Sequence, residues 1–473
     1  MSEAIIRKDL TVLGRDSLLR ALLAVTIVLV VVSVFTGLQR ERVFVKEKTA
    51  ALETDRSVWM NQGDRNPHSA AHFSRYAFRP ASPIALLDPG TGDFAGLAIW
   101  MEAHYQDPAA FRRAEDGGEL SRYVQLTPAF LVLTVAPLLV FVMLFGSIAG
   151  EREDRTLRQL LASGVDAGRF FRGKLFAGLR LTLGGFTAVF LPVAVLAALL
   201  TPADLTGDAI VRLFVMYLLF AAYLVVFVAL AIGVSAIFRT RQSAFLALTA
   251  VWTMMAIVVP RFGSDIATSV HPQPDARDAT VQLRAASDVY YRDTEMREQI
   301  EKDVLAEYGV ATIEELPIDY GAYVLQFSEE MSEPLFDEFY NGLDARYAKQ
   351  EAVVRTLSLF TPSIAAANLS RGVAGTDRIH QREFSKAAEA HRREMVQLLN
   401  EDYMYNADGA GYAYTAGTDL WAQFEDLDHQ VPALGSIGRA YAIDALFMLV
   451  WLVAAIGFAY WSVRRAVTGE EAA

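Results

Sequence analysis

The stretch that decides the fold is Leu126-Thr-Pro-Ala-Phe-Leu-Val-Leu-Thr-Val-Ala-Pro-Leu-Leu-Val-Phe-Val-Met-Leu-Phe-Gly146, followed by Glu151-Arg-Glu-Asp-Arg-Thr-Leu-Arg-Gln-Leu-Leu161. The first part has about 20 mostly apolar residues, which is enough to cross a bilayer. The second part is charged, and its leucines fall on one helical face. Its carboxylates lie in the first turn, where the helix dipole favours negative charge. We therefore predict a membrane span that leads into a short amphipathic helix outside the bilayer.

Composition supports a membrane protein. The 473 residues are 53% hydrophobic, and the apolar residues are concentrated in runs. The net charge of −12 argues against nucleic-acid binding. The chain has no cysteine, which excludes disulfides and thiolate metal sites.

Apolar runs separated by basic turns predict an all-α protein with six spans. Basic residues before the first span and after the last place both termini in the cytoplasm. The predicted order is an interfacial cytoplasmic helix at 1–17, span one at 18–37, a first extracytoplasmic domain at 38–124, span two at 125–148, a cytoplasmic coupling helix at 149–175, span three at 176–200, span four at 209–237, span five at 243–260, a second extracytoplasmic domain at 261–438, span six at 440–463 and a cytoplasmic tail at 464–473.

Both outer domains are expected to be mostly helical. The second is acidic, and a short apolar stretch at 357–368 interrupts it. That stretch could lie against the bilayer or line a path from the membrane. Packing within the helical domain is the interpretation we favour.

The charged stretch resembles the Glu-Arg/Lys-Glu-x-Gly-Thr-Leu-x-x-Leu-Leu signature that follows the second span in ABC transporter permeases of the type-2 (ABC-2) family. Arg155 stands where Gly is usual, and Gly164 stands where Pro often follows the leucines. The outer stretch at 39–123 resembles the first outer loop of a subgroup with large extracytoplasmic domains and no settled function. The residues that match the signature are Glu151, Arg152, Glu153, Thr156, Leu157, Leu160 and Leu161.

The resemblance implies a permease subunit of an ABC exporter in a bacterial inner membrane, which would carry a small, hydrophobic or peptidic substrate. ATP and Mg²⁺ would be bound by a separate ATPase dimer, so this chain would need no cofactor and would not itself be an enzyme. A second permease copy or a sister permease, membrane lipids and an envelope protein are the other expected partners. The residues expected to couple to the ATPase are the seven signature matches together with Arg169 and Lys174.

The chain has one apparent nucleotide-binding motif, which lacks a residue that such a motif requires. Gly168-Arg-Phe-Phe-Arg-Gly173-Lys174 has the spacing of a phosphate-binding P-loop. A P-loop needs Ser or Thr at the next position to bind magnesium, and Leu175 stands there. We therefore expect no nucleotide site in this chain.

Two other functions stay open. One is a mechanotransmission subunit that exports nothing and acts on an envelope protein, as in maturation of a metal site. The absence of cysteine and of an outward methionine cluster gives little support to copper handling. The other is a membrane-anchored hydrolase, which would depend on His68 and His72.

The i, i+4 spacing of His68 and His72 could chelate a metal from one helix face. Ser69 stands where a zinc metalloprotease needs its glutamate, and no carboxylate nearby in the sequence completes a site. We therefore predict no metal site and a packing role for the pair. Arg75 and Tyr76 belong to the same outer motif, whose role is left open.

Overall fold

Six long apolar helices form the membrane-spanning part of the protein. The computed structural model describes residues 2–73, 75–82, 84–112, 126–200 and 207–471. The prediction of a six-span, all-α membrane protein is confirmed. Within the described ranges, the helices long and apolar enough to cross a membrane are Ser17–Met60, Pro128–Glu153, Ala167–Leu199, Gly207–Ile237, Arg241–Val270 and Leu434–Gly469.

The elements follow one another in a simple order along the described chain. The second and fifth spanning helices each contain a π-helical turn, at Leu131–Val135 and Thr253–Val258. The elements are α1 Ser2–Arg15, α2 Ser17–Met60, α3 Pro67–Ala71, β1 Arg75–Phe78, β2 Ala98–Met101, α4 (Pro128–Phe130, Leu131–Val135 and Ala136–Leu144), α5 Ala149–Glu153, α6 Thr156–Ala162, α7 Ala167–Leu200, α8 Gly207–Ile237, α9 (Arg241–Trp252, Thr253–Val258 and Val259–Val270), α10 Ala276–Arg292, α11 Thr294–Tyr308, α12 Tyr320–Thr356, α13 Pro362–Ala374, α14 Arg378–Asn406, α15 Thr418–Trp421, α16 Leu434–Ile437 and α17 Ala442–Glu471.

Several spanning helices continue beyond the bilayer. Helix α2 has 44 residues, which at 1.5 Å per residue is about 66 Å, against about 30 Å for a hydrocarbon core. Its polar second half joins a region outside the bundle that we name the head. The first part of the head is residues 45–112, and the second part is residues 271–433 except 357–374, which return to the bundle. One continuous helix therefore links the start of the first span to the head.

The central helix of the bundle is α8. Its apolar window is 56% buried within the protein, against at most 39% for any other span. It packs on α4, α7 and α17, and Phe220, Tyr223 and Phe227 are buried along it. The other spans leave more of their apolar side chains exposed, as expected of helices that face lipid.

Helix α13 returns from the head and packs between α8 and α17. Ala365 and Ala366 are fully buried there, because small side chains let helices approach closely. The Tyr223 hydroxyl lies 2.9 Å from Ser363 Oγ at the start of α13. The apolar stretch at 357–368 thus packs against the spans, and not inside the head as the sequence suggested.

The two parts of the head share one hydrophobic core. Trp59 of α2 and Trp421 of α15 meet edge to face with ring centroids 5.8 Å apart, and Trp59 Nε1 donates to the Trp421 carbonyl at 2.8 Å. Phe384 of α14 is buried in the same core. The strands β1 and β2 pair antiparallel, with Arg75 opposite Met101. The first part of the head therefore contains a small sheet and loops after α3, and the expectation that it is mostly helical is wrong.

Arg75 is a buried ionic centre of this core. Its side chain is 1% exposed, and Nη1 donates to Asp55 Oδ2 at 2.6 Å. Nη2 pairs with Asp426, from the far end of the head. The guanidinium lies 5.5 Å from the Trp59 ring and 5.7 Å from the Phe424 ring. Three separate chain segments thus meet at one cation.

Replacing Arg75 is expected to loosen the head. Arg75→Met leaves the buried carboxylate of Asp55 without its partner, which costs about 3–5 kcal/mol in comparable sites. Thermal unfolding in detergent should show a clear drop in the melting temperature. The double variant Arg75→Met, Asp55→Leu should recover much of the loss, because it removes the uncompensated charge. A single variant as stable as the parent would contradict this role.

Candidate functional site: a charged segment and a histidine cluster

The charged segment, residues 149–175, is not one amphipathic helix as the leucine spacing suggested. It consists of α5, α6 and the first two turns of α7. The break lies at Arg155, whose φ of 59° is in the left-handed region. An L-residue with a Cβ is strained in that conformation, which stops α5 before α6 begins.

Glu151 is the buried centre of the charged segment, at 7% exposure. Lys8 of α1 donates to Oε1 at 2.6 Å, and Lys174 of α7 donates to the same oxygen at 2.9 Å. The Thr156 hydroxyl donates to Oε2. Lys174 also pairs with Asp9 at 3.0 Å. One carboxylate therefore joins α1, α5, α6 and α7.

Arg152 and the leucines attach the charged segment to the spans. Arg152 Nη1 donates to the Ala236 carbonyl at 2.8 Å, near the end of α8, where carbonyls lack helical partners. Leu157 is fully buried in the core of the bundle. Leu160 and Leu161 are partly buried and pack against that core. Movement of the segment would therefore act directly on α8.

The outward face of the segment is formed by other residues. Glu153, Arg158 and Gln159 are exposed, and Arg169 is 53% exposed beside Asp166 at 3.1 Å. The ABC-2 signature allows any residue at the positions of Arg158 and Gln159. Their side chains lie on the side of α6 opposite to its leucines. Of the nine predicted coupling residues, seven face inward or lie at the interface with the spans: Glu151, Arg152, Thr156, Leu157, Leu160, Leu161 and Lys174.

The apparent P-loop is part of a helix. Residues 168–174 form the first turns of α7, and Lys174 is buried against Glu151. Gly173 lies against Ile5 of α1, where an added Cβ would come within 3.0 Å of that side chain. The glycine and lysine of this motif thus serve the packing of α1.

Three of the seven histidines in the chain come together in the head. His68 lies in α3, His72 follows at its end, and His104 lies just after β2. The ring centroids are 4.8–5.1 Å apart, and one potential ligand nitrogen of each ring lies within 4.8 Å of the others. The sequence pointed to the first two by spacing, but His104 reaches them only because β1 and β2 pair.

In each ring of this histidine cluster, Nδ1 is hydrogen-bonded to an oxygen atom. Two of these oxygens belong to the buried carboxylates of Glu102 and Glu329, which tertiary packing brings beside the histidines. The pairs are His68 with Asn400 Oδ1 at 3.1 Å, His72 with Glu102 Oε1 at 2.8 Å and His104 with Glu329 Oε1 at 2.6 Å.

Burial and these partners shift the pKa values. Burial, with the adjacent His104 and His72, lowers the pKa of His68 to about 4, so this ring is neutral at pH 7. Burial opposes the charge on His104, but Glu329 outweighs it and the pKa of His104 is raised. Burial also opposes the charge on Glu102, but the two histidines outweigh it and the pKa of Glu102 is lowered. The carboxylates thus favour positive charge among the rings.

The structure divides the outer motif that the sequence singled out. His68 and His72 belong to the histidine cluster, and Arg75 is the ionic centre of the head core. Tyr76 lies half-buried on β1, with its ring 6.1 Å from that of Phe111.

Comparison with known families agrees with this architecture. Residues 104–273 match a family described as ABC-2 family transporter protein. The chain is an ABC-2 family permease with an additional domain. That domain is described as Domain of unknown function (DUF3526) and matches residues 279–430 of the permease. A search of curated proteins found no match.

The left-handed conformation of Arg155 accounts for the Gly that is usual at this position of the ABC-2 signature. Arg155→Gly is expected to stabilise the protein by about 1 kcal/mol, because Gly adopts a left-handed conformation without strain. Gln159→Gly, an exposed position inside α6, is the matched control and should destabilise it by up to about 1 kcal/mol. The melting temperatures of both variants in detergent test this prediction. Equal shifts of the same sign would contradict a left-handed conformation at Arg155.

Proposed function

We propose that this permease is the membrane subunit of an ATP-driven exporter in a bacterial inner membrane. Its cargo would be small, hydrophobic or peptidic. An ABC-2 permease works with an ATPase partner, and the charged segment is the part of this chain suited to receive it. The observation that carries the proposal is that this segment presents one polar face outward and fixes its other face to α1, α7 and α8.

The orientation of the chain supports the same function. Arg7, Lys8, Arg464 and Arg465 lie at the same end of the bundle as the charged segment. By the positive-inside rule that end would lie in the cytoplasm, where ATP is available, and the head would lie outside. A second copy or a sister permease would complete the transporter.

ATP binding would close the ATPase dimer and push the charged segment. Glu151 would pass that displacement to α1 and α7 through Lys8 and Lys174. Arg152 would pass it to the end of α8. Since α8 is the central helix, the spans would move as a packed unit between two cavity states.

A mechanotransmission subunit is the second candidate, and two features of the fold favour it. Helix α2 runs unbroken from the charged end of the bundle into the head. Helix α13 is part of the additional domain and packs between α8 and α17. Any shift of the spans would therefore move the head, which could act on an envelope protein without moving cargo.

The outward face of α6 can be blocked without touching its inward contacts. Gln159 and Ala162 are exposed, and lie three residues apart on one helical face. The double variant Gln159→Trp, Ala162→Trp is expected to lose at least nine-tenths of the ATPase subunit that co-purifies with the permease in mild detergent. Mass spectrometry identifies the co-purified ATPase subunit, and the rate of ATP hydrolysis by the purified complex reports how much of it is bound.

The control is Glu295→Trp, an exposed position in the head, which should retain the ATPase. Thermal unfolding checks that both variants are folded. Undiminished co-purification and hydrolysis in a folded double variant would contradict docking at this face. A parent permease that purifies without any nucleotidase would contradict the transporter proposal itself.

A further inference from the structure

We propose that the head binds one divalent transition-metal ion, of the zinc type, through Nε2 of His68, His72 and His104. This site is separate from the charged segment and does not depend on the proposed transport function. The three rings come from two places in the chain, α3 with its end and the residues after β2.

The hydrogen bonds select the tautomer that a metal requires. The Glu102 carboxylate accepts a hydrogen bond from Nδ1 of His72, and the Glu329 carboxylate accepts one from Nδ1 of His104. Both nitrogens therefore carry a proton. Asn400 turns its Oδ1 towards His68, since its Nδ2 donates to Gln326 Oε1 at 3.1 Å. Each neutral ring in this tautomer has its lone pair on Nε2.

The arrangement of outer partners is typical of metal-binding histidines. A ligating imidazole usually donates its other N–H to a carboxylate or carbonyl oxygen, which fixes the ring and raises its basicity. Glu102 is itself fixed, because its Oε2 accepts from the backbone N–H groups of His104 at 2.9 Å and Tyr105 at 3.1 Å. Glu329 is 3% exposed, and its Oε2 has no hydrogen-bond partner among the described residues. A nearby cation would stabilise that buried carboxylate.

The ligand set indicates which metals would bind. Imidazole nitrogens suit Zn²⁺, Cu²⁺ and Ni²⁺, whereas Mg²⁺ and Ca²⁺ prefer oxygen ligands. Tetrahedral Zn–N bonds of about 2.0–2.1 Å put ligand nitrogens about 3.4 Å apart. The ring nitrogens that lie within 4.8 Å of one another would therefore have to approach by up to about 1.4 Å. Two carboxylates balance the charge of a divalent ion.

Three protein ligands leave a fourth position open. The His72 side chain is 40% exposed, whereas His68 is 5% exposed, so the cluster opens on the His72 side. In proteins this pattern is found where the metal binds water or an external ligand, and structural zinc sites usually have four protein ligands. The site therefore suits a metal that can take a ligand from the solvent.

The metal would also join the two parts of the head. All three ligands come from the first part, while Glu329 and Asn400 belong to the additional domain. Binding would tighten the contact between them, so the site links metal occupancy to the position of the additional domain.

Zinc binding to the full-length permease tests the proposal. The protein is purified in detergent with a tag that contains no histidine, stripped with a chelator and titrated with Zn²⁺ against a chromophoric chelator. One ion per chain is expected, with X-ray absorption showing three imidazoles at about 2.0–2.1 Å. His104→Ala and His72→Ala should each weaken binding at least 100-fold. Glu329→Gln should weaken it about 10–100-fold without removing a ligand.

His271→Ala is the matched control, since His271 lies at the end of α9 outside the cluster, and it should bind as the parent does. Melting temperatures without metal check folding, and the more exposed position of His72 makes its variant the safer one. Zinc should raise the melting temperature of the parent but not that of His72→Ala. A folded parent that binds no zinc in the micromolar range would overturn the proposal. So would a folded His72→Ala variant that binds as tightly as the parent.

Discussion

The charged end of this permease depends on one buried carboxylate. Glu151 of α5 accepts from Lys8 of α1, Lys174 of α7 and Thr156 of α6, so it holds four helices together. A buried ion pair contributes little net stability. Removing one partner, however, leaves an uncompensated charge buried away from water, which is strongly destabilising. The ion pairs therefore fix the position of the charged segment against α1 and α7.

A small number of shared helices and polar contacts also links the bundle to the head. Helix α2 crosses the membrane and ends in the head core at Trp59, and α13 enters the bundle beside α8. The Arg212 guanidinium, fully buried in α8, donates to the Val373 carbonyl at 2.9 Å near the end of α13. Spans and head thus share rigid elements. A displacement that begins at the charged segment has a continuous packed route to the additional domain.

Much of the fold could be predicted from sequence, because a membrane span needs a long apolar run that stands out in any chain. The signature also located the charged segment. The break at Arg155 was hidden, because the residues that favour a left-handed backbone are Gly, Asn and Asp, and arginine is not among them. The α13 insertion was hidden because a short, alanine-rich stretch is equally suited to a soluble core and to a bundle.

The histidine cluster was beyond sequence reasoning for a different reason. His68 and His72 were visible through their spacing, but His104 joins them through strand pairing. Glu329 and Asn400 come from the additional domain, far along the chain. Side chains that meet only through tertiary packing leave no local pattern.

The central claim is that Glu151 transmits movement between the ATPase and the spans. The most direct measurement is ATP hydrolysis by the reconstituted complex in nanodiscs, comparing the parent with Glu151→Gln at equal subunit stoichiometry. Transmission through Glu151 predicts an intact complex whose hydrolysis rate no longer depends on the permease. An intact complex with the hydrolysis rate and permease dependence of the parent would contradict it.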